Sequence, residues 1–404
     1  MKNVTFITGL LAALVIASCN PNAEEILKKS FAKCQSIENG YYEMDRYMKY
    51  MSDNDTGFSS FNCYFKKLPD DTIYSSAFHY QHIYEGEFFR DVLYTGDEFV
   101  TYSVKDSSGR IMSKKLWAKN IKSVSHNYTF YSPITNRESY PLPKEADFSD
   151  GKHQFQFIGE DLIENSPCYH ISMNIIPEND SAEIMKTIRN EIHFWINKSD
   201  FIPIKYTRAI DLVMSNDTMC QFEKNILKKY GINNLMDEIP ISMISVPSFI
   251  HLKDYVPYKS PELLPDDTIA PIWSLPSLKG DTISLSDLKG NLVLIDFFYK
   301  ACYPCMLALP ALQNLHEKYQ NKGLQVIGVD PYDTKEEDDI ENFLAKRGVT
   351  YTILLGGKDV VKEYHVSGYP TIYLIDKSGN IIASQVGYGE ETEDKLEEII
   401  KEHL

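Results

Sequence analysis

Leu294-Ile295-Asp296-Phe297-Phe298-Tyr299-Lys300-Ala301-Cys302-Tyr303-Pro304-Cys305 is the stretch whose reading decides the fold of the last third of this 404-residue chain. Its first half belongs to an apolar run, 291–298, continuous enough to be a strand covered on both faces. A helical pattern follows over 307–319. Cys302 and Cys305 therefore stand between a buried strand and the start of a helix. A thiolate there is stabilised by free backbone N–H groups and by the helix dipole. Cys302 is the natural attacker in disulfide exchange. Cys305, three residues on and on the same side of the first turn, can resolve the mixed disulfide. Pro304 suits a first helical turn, where no N–H partner is lost.

Outward from this stretch, residues 265–404 alternate strand-length apolar runs (324–329, 351–355, 371–375, 381–386) with helical segments (334–346, 359–364, 392–403). Thr334 and Glu337 stand at capping-box spacing, and Gly348 lies just past the end of the second helix. Such alternation predicts an α/β domain with a mainly parallel sheet. A zinc half-site or a structural disulfide is the other use of a Cys-x-x-Cys pair. Zinc usually takes four protein ligands, and no second pair or paired His motif accompanies this one, so no metal or other cofactor is expected.

The quoted stretch resembles the active-site strand and turn of thioredoxins, and Pro310 matches that family's kinked helix. Val366-Ser367-Gly368-Tyr369-Pro370-Thr371-Ile372 is similar to the segment that carries the family's cis-proline. The resemblance implies that Tyr303, Pro304, Tyr369 and Pro370 line a substrate groove, since a cis X-Pro bond exposes the preceding backbone for strand-like pairing. It also matches Asp296 to a buried aspartate beneath the cysteines. Desolvation would raise the pKa of that carboxylate and let it take a proton from Cys305. The lead-in Ala270-Pro271-Ile272-Trp273 and Leu285-Ser286-Asp287-Leu288-Lys289-Gly290, with the extra helix and strand over 334–355, resembles the TlpA/ResA branch of exported thiol-disulfide oxidoreductases. Ala301 and Ala308 depart from that branch, standing where tryptophan and glutamate are usual. The peroxiredoxin Pro-x-x-x-Thr-x-x-Cys pattern is absent around Cys302.

The length predicts two domains. After a helix beginning near Ile26, residues 41–225 are aromatic and β-branched runs between Asp/Asn/Ser/Gly turns. The strands expected are 58–65, 72–80, 88–94, 98–104, 153–158, 169–176, 191–196 and 201–212. The opening Ile26-Leu27-Lys28-Lys29-Ser30-Phe31 and the run Ile192-His193-Phe194-Trp195-Ile196-Asn197-Lys198 through Ile202-Pro203-Ile204 resemble the LolA-like half-barrels of lipoprotein carriers. That resemblance implies a meandering half-barrel over 26–230 that could enclose an apolar ligand. Residues 231–264, spaced with prolines, read as a linker. Cys34, Cys63, Cys168 and Cys220 lie in the β-rich part without close partners, as buried thiols or as two disulfides. His170, His193, His316 and His365 stand singly, without metal-motif spacing, and read as surface or satisfied histidines.

Residues 1–18 combine Lys2, an apolar run from Val4 to Ala17 and Ser18, the layout of a signal peptide rather than a membrane span. Ile16-Ala17-Ser18-Cys19 resembles the bacterial lipobox, which implies lipidation of Cys19, a tether over 19–25 and attachment to a membrane in the cell envelope. A net charge of −16 opposes binding to nucleic acid. The expected protein is a membrane-anchored, exported thiol-disulfide oxidoreductase. Its expected partners are cysteine-containing exported proteins and a membrane thiol donor. The competing expectation is a lipid or lipoprotein carrier whose thioredoxin-like domain senses redox state.

Overall fold

Alternation of buried and half-exposed residues sets the first sheet. In β1 (Asn39–Lys49), Gly40, Tyr42 and Met44 turn inward, and in β2 (Gly57–Lys67) Phe61, Cys63 and Phe65 do so. The computed structural model describes residues 21–404 apart from 52–54, 72, 75, 85, 117–130, 132–140, 179–184, 215–216, 234–244, 258, 337 and 390. Cys19 and residues 1–18, on which the signal-peptide and lipidation expectations fall, lie outside the described residues.

Before β1 comes helix α1 (Ala23–Gln35). The Asn22 side chain caps it by accepting from the N–H groups of Glu24 and Glu25, and acidic residues in its first turn complement the dipole. Of its buried side, Ile26, Leu27 and Cys34 pack into the same apolar cluster as Tyr42, Phe65, Phe194 and Tyr206. Full burial of a side chain such as Leu27 contributes about 2 kcal/mol.

Ten more strands extend this sheet: β3 (Ser76–Tyr84), β4 (Glu87–Tyr94), β5 (Glu98–Ser103), β6 (Ser108–Ser113), β7 (His153–Ile163), β8 (Ser166–Ile175), β9 (Met185–Asn197), β10 (Pro203–Met214), β11 (Asp217–Ile232) and β12 (His251–Asp254). Their order is β12-β6-β5-β4-β3-β2-β1-β11-β10-β9-β8-β7, antiparallel except where β12 runs parallel to β6. The β9–β10 connection read from the Trp195 run is a tight turn. Asn197 Oδ1 accepts from Ser199, Asp200 Oδ1 accepts from the Ile202 N–H, and Phe201 sits at φ 60°. Strands β1, β6 and β11 were not expected. Tyr, Met, Lys and Asn break up their apolar alternation, and pairing on both sides holds β1 and β11 in the sheet.

The proline-spaced stretch supplies β12, and Ile250 beside it is buried with Leu93, Val100 and Tyr102. Strands β4 and β5 are thereby covered on their second face.

Residues 274–404 hold a short hairpin, β13 (Ser274–Pro276) with β14 (Thr282–Ser284), and a five-stranded sheet. The sheet comprises β15 (Leu292–Phe297), β16 (Leu324–Asp330), β17 (Thr352–Leu355), β18 (Thr371–Ile375) and β19 (Ile381–Val386) in the order β17-β16-β15-β18-β19. β15, β16 and β17 are parallel, while β18 and β19 run antiparallel, so the sheet is mixed rather than mainly parallel. Helices α2 (Tyr303–Tyr319), α3 (Ile340–Lys346), α4 (Lys358–Glu363) and α5 (Thr392–His403) accompany it. α3 starts at Ile340 and not near Thr334, because Asp339 adopts a left-handed conformation (φ 51°) and the Thr334 N–H and hydroxyl both donate to Asp338. Glu337, the other half of the expected capping box, lies outside the described residues.

The two sheets share buried side chains. Met185, Leu212, Met214 and Met219 belong to one apolar cluster with Leu309, Phe343 and Tyr351. Beside them the buried guanidinium of Arg347 meets Asp217 at 2.9 Å and donates to the Phe343 carbonyl at 2.8 Å.

Candidate redox site

Strand β15 is buried at every position and carries the chain to the edge where β16 and β18 flank it. The chain then turns through Phe298–Ala301, and the Cys302 N–H donates to the Tyr299 carbonyl at 3.1 Å. Cys302 is the N-cap of α2. Its sulfur accepts from the Cys305 N–H at 3.1 Å, with Pro304 in the first turn and Pro310 inside the helix. Cys302 and Cys305 form a disulfide, with Cα atoms 5.2 Å apart. Both are buried, while Tyr303 and Pro304 beside them are exposed. Cys302 is 4% and Cys305 1% exposed in this disulfide form, so access to the attacking sulfur depends on what lies around the pair.

The Tyr369–Pro370 bond is cis. Thr371, the next residue, pairs with Phe297 at the end of β15, which sets the 369–370 segment beside the turn that leads to Cys302. Pro370 is buried and Tyr369 half-buried. Tyr369 closes a cluster of three tyrosines whose ring centroids lie 5.2 Å (Tyr299–Tyr369), 5.5 Å (Tyr299–Tyr332) and 5.8 Å (Tyr332–Tyr369) apart. The Tyr369 hydroxyl donates to that of Tyr332 at 3.2 Å, and Tyr332 is exposed. Tyr299 and Tyr332 were missed from sequence. Tyr299 stands inside the quoted stretch, but nothing there signals an aromatic cluster completed from two other segments.

Asp296 lies in β15, fully buried, and among the described residues neither carboxylate oxygen has a hydrogen-bond partner. Burial pushes its pKa up to about 8, so the acid is largely protonated at neutral pH. Opposite it on β16 is Gly328, where a Cβ would stand 2.6 Å from Ile353 and 2.9 Å from Phe298; a larger residue would force this layer apart. The buried Tyr351 hydroxyl also lacks a partner, and burial and the nearby Asp296 push its pKa well up. Edge-on to Tyr351, at 6.1 Å, is the His316 ring, whose buried Nδ1 is likewise unpartnered. Orphaned buried polar atoms of this kind call for water.

A second buried acid, Asp330, ends β16. Its Oδ1 accepts from the N–H groups of Tyr332 and Asp333, its Oδ2 has no partner, and burial and Asp333 push its pKa up to about 8. Asp333 in turn accepts from the Lys300 N–H, two residues before Cys302. Sequence reading passed over Asp330 because an aspartate at a strand end is ordinarily a turn residue.

The AhpC/TSA family matches residues 267–384. The thiol-disulfide oxidoreductase ResA of Bacillus thuringiensis subsp. konkukian (strain 97-27) is 34% identical over 133 residues, which are 33% of this chain and 75% of that protein. The chain belongs to the ResA family of thiol-disulfide oxidoreductases. The thioredoxin-like protein YneN of Bacillus subtilis (strain 168) is 36% identical over 131 residues, 32% of this chain and 76% of that one. Among solved structures, a putative thiol:disulfide interchange protein DsbE from Chlorobium tepidum is 30% identical and covers 35% of this chain and 98% of its own, with a TM-score of 0.33.

In this ResA-family chain the remaining described thiols are free. Cys34, Cys63 and Cys168 are buried and Cys220 is intermediate. Burial pushes Cys34 and Cys63 up to about 12 and Cys168 to about 11, which leaves them poor nucleophiles. No helix among the described residues is long and apolar enough to cross a membrane.

Proposed function

We propose that Cys302 and Cys305 exchange two electrons with cysteines of other proteins. In the reducing direction the Cys302 thiolate attacks one sulfur of a substrate disulfide, the substrate S–S bond breaks, and the other substrate sulfur leaves as a thiolate that takes a proton. Cys305 then loses its proton to Asp296 in its ionised form, the minority form at neutral pH, and attacks the Cys302 sulfur. The second substrate thiol is released, carrying the proton that Asp296 held, and the Cys302–Cys305 disulfide forms. The substrate has gained two electrons and two protons. A dithiol donor, read here as a membrane thiol protein, restores the pair by the reverse steps. The observation that carries this reading is the Cys302–Cys305 disulfide at the start of α2, with a Cys305 N–H aimed at the Cys302 sulfur. The unpartnered Asp296 in the preceding strand supports its proton-handling step.

Tyr303, Pro304, Tyr369 and Pro370 are read as the substrate groove, and the exposed Tyr332 extends it with aromatic surface. The N-terminal layout Lys2, Val4–Ala17 and Ser18-Cys19 supports export and lipidation at Cys19, which would hold the protein on a membrane of the cell envelope with cysteine-containing exported proteins as partners. A LolA-like carrier role for the first sheet is the second reading, supported by the packing of α1 into the sheet's apolar cluster. A redox titration of the 302/305 pair against glutathione tests the exchange and gives its direction. A potential near that of thioredoxin, about −270 mV, means a reductase, and one near about −120 mV means an oxidant. Failure of the pair to equilibrate with thiols at all would refute exchange.

A further inference from the structure

Three tyrosines from three separate segments meet beside the turn that carries Cys302. Tyr299 stands in that turn, and its carbonyl accepts from the Cys302 N–H at 3.1 Å. Tyr332 follows the end of β16, and Tyr369 precedes the cis-proline. The rings of Tyr299 and Tyr369 pack against the apolar cluster that holds both cysteines. Each pair of rings meets edge to face, at interplanar angles of 88° (Tyr299–Tyr332), 86° (Tyr299–Tyr369) and 64° (Tyr332–Tyr369). Tyr332 is the outer member, 52% exposed.

Tyr332 is held at both ends. Its backbone N–H donates to Asp330 at 2.9 Å, and its hydroxyl accepts from that of Tyr369 at 3.2 Å. Lys358 stands 5.9 Å from its ring centroid, at the outer limit of a cation–π contact, so the ring stays open to a partner. An exposed aromatic ring already fixed in place loses little conformational entropy when something covers it, which is what makes a rigid tyrosine an anchor for binding. The surface on the other sides of the cysteines is uncharged. Ala301, Tyr303 and Pro304 are exposed, as is Val386, which pairs with Thr371 next to the cis-proline. The charged side chain of the turn, Lys300, is buried, and its ammonium donates to the Asp338 carbonyl at 2.6 Å.

The two kinds of side chain a substrate could lay on this surface fare differently. A charged one would lose hydration there without gaining a counter-charge. An aromatic one buries apolar area and adds an edge-to-face contact. On the footing of the exchange proposed above, we propose that Tyr332 is a specificity-determining residue: it receives the large apolar side chain, aromatic before aliphatic, that neighbours the reacting cysteine in an extended substrate segment. Tyr299 and Tyr369 position its ring. Large apolar side chains are mostly buried once a protein has folded, so the substrates of this class are segments not yet folded.

The test uses the full chain, reduced, and two blocked peptides that carry Phe or Ser on both sides of one cysteine, whose thiol is held in a disulfide with thionitrobenzoate. Cys302 attacks the peptide sulfur, thionitrobenzoate leaves as a coloured thiolate, and Cys305 then displaces the peptide thiol as the Cys302–Cys305 disulfide forms, so absorbance reads the rate. The Cys302→Ser protein supplies the background from other thiols. Each rate is divided by that of dithiothreitol with the same peptide, which removes the neighbour's effect on the sulfur itself. Wild type should take the Phe peptide about tenfold faster than the Ser peptide. That ratio should fall to about twofold or less in Tyr332→Ala and persist in Tyr332→Phe, which keeps the ring. Equal rates in wild type, or a ratio undiminished in Tyr332→Ala, overturns the proposal while leaving exchange standing. A pair that reacts with neither peptide nor glutathione disulfide overturns the exchange reading and this one with it. Should Tyr332→Ala fail to fold, the wild-type ratio decides alone.

Discussion

The backbone N–H of Cys305 points at the sulfur of Cys302, 3.1 Å away, and among the described residues no hydrogen bond to the Cys305 sulfur matches it. That asymmetry assigns the nucleophile. In the reduced protein Cys302 should be the more acidic thiol and the first to be alkylated at neutral pH. Mass mapping after brief iodoacetamide treatment checks this. Cys34, Cys63 and Cys168, with thiols pushed up to about 11 or 12, should remain unmodified in the folded protein.

Asp296 makes a prediction about pH. Its folded pKa, about 8, lies above the ordinary carboxylate value of 3.8. Between those two values the folded state holds a proton that the unfolded state has lost, so stability falls as pH rises from about 4 to about 8 and then levels off. Asp296→Asn should remove this share of the dependence and gain a few kcal/mol over wild type at pH 8, with little difference near pH 4. Denaturant melts at the two pH values measure it. The same variant should slow resolution of mixed disulfides by about 10²-fold or more, the usual loss when a general base is removed.

Arg347 should prove costly to unpair. Asp217→Asn leaves a guanidinium buried without its counter-charge, and the expected loss is about 3 kcal/mol or more. Replacing Arg347 and Asp217 together with apolar residues should recover most of it. Equilibrium unfolding of the single and double variants gives the comparison.

Sequence showed the C-terminal fold almost element by element, because strands such as Leu324–Asp330 are continuous apolar runs and Cys302 stands at a strand-to-helix junction. Strands β1, β6 and β11 were harder to see. Their polar faces are half-buried against neighbours distant in sequence, so the period-2 signal is diluted. Cys302, Cys305, Asp296 and the Tyr369–Pro370 bond were legible because each belongs to a contiguous motif. Tyr332, Asp330 and Tyr351 were not, since they reach the site only through the parallel pairing of β15, β16 and β17. His170 and His193, read singly from sequence, lie 2.9 Å apart across the antiparallel pair of β8 and β9.

Membrane attachment should depend on Cys19. In cells, Cys19→Ala should move the protein from the membrane fraction to the soluble fraction, because acyl chains supply the apolar anchor. Fractionation with immunoblotting reads the outcome, and a Cys19→Ala protein that stays with the membrane contradicts lipidation.

Trapping tests the central claim most directly. Cys305→Ser removes the resolving thiol and keeps the attacker, so mixed disulfides through Cys302 should accumulate in cells as reductant-sensitive adducts on non-reducing gels. Cys302→Ser and the Cys302→Ser/Cys305→Ser protein should show none. Adducts that persist in the double variant, or a Cys305→Ser protein that traps nothing, would contradict thiol-disulfide exchange led by Cys302.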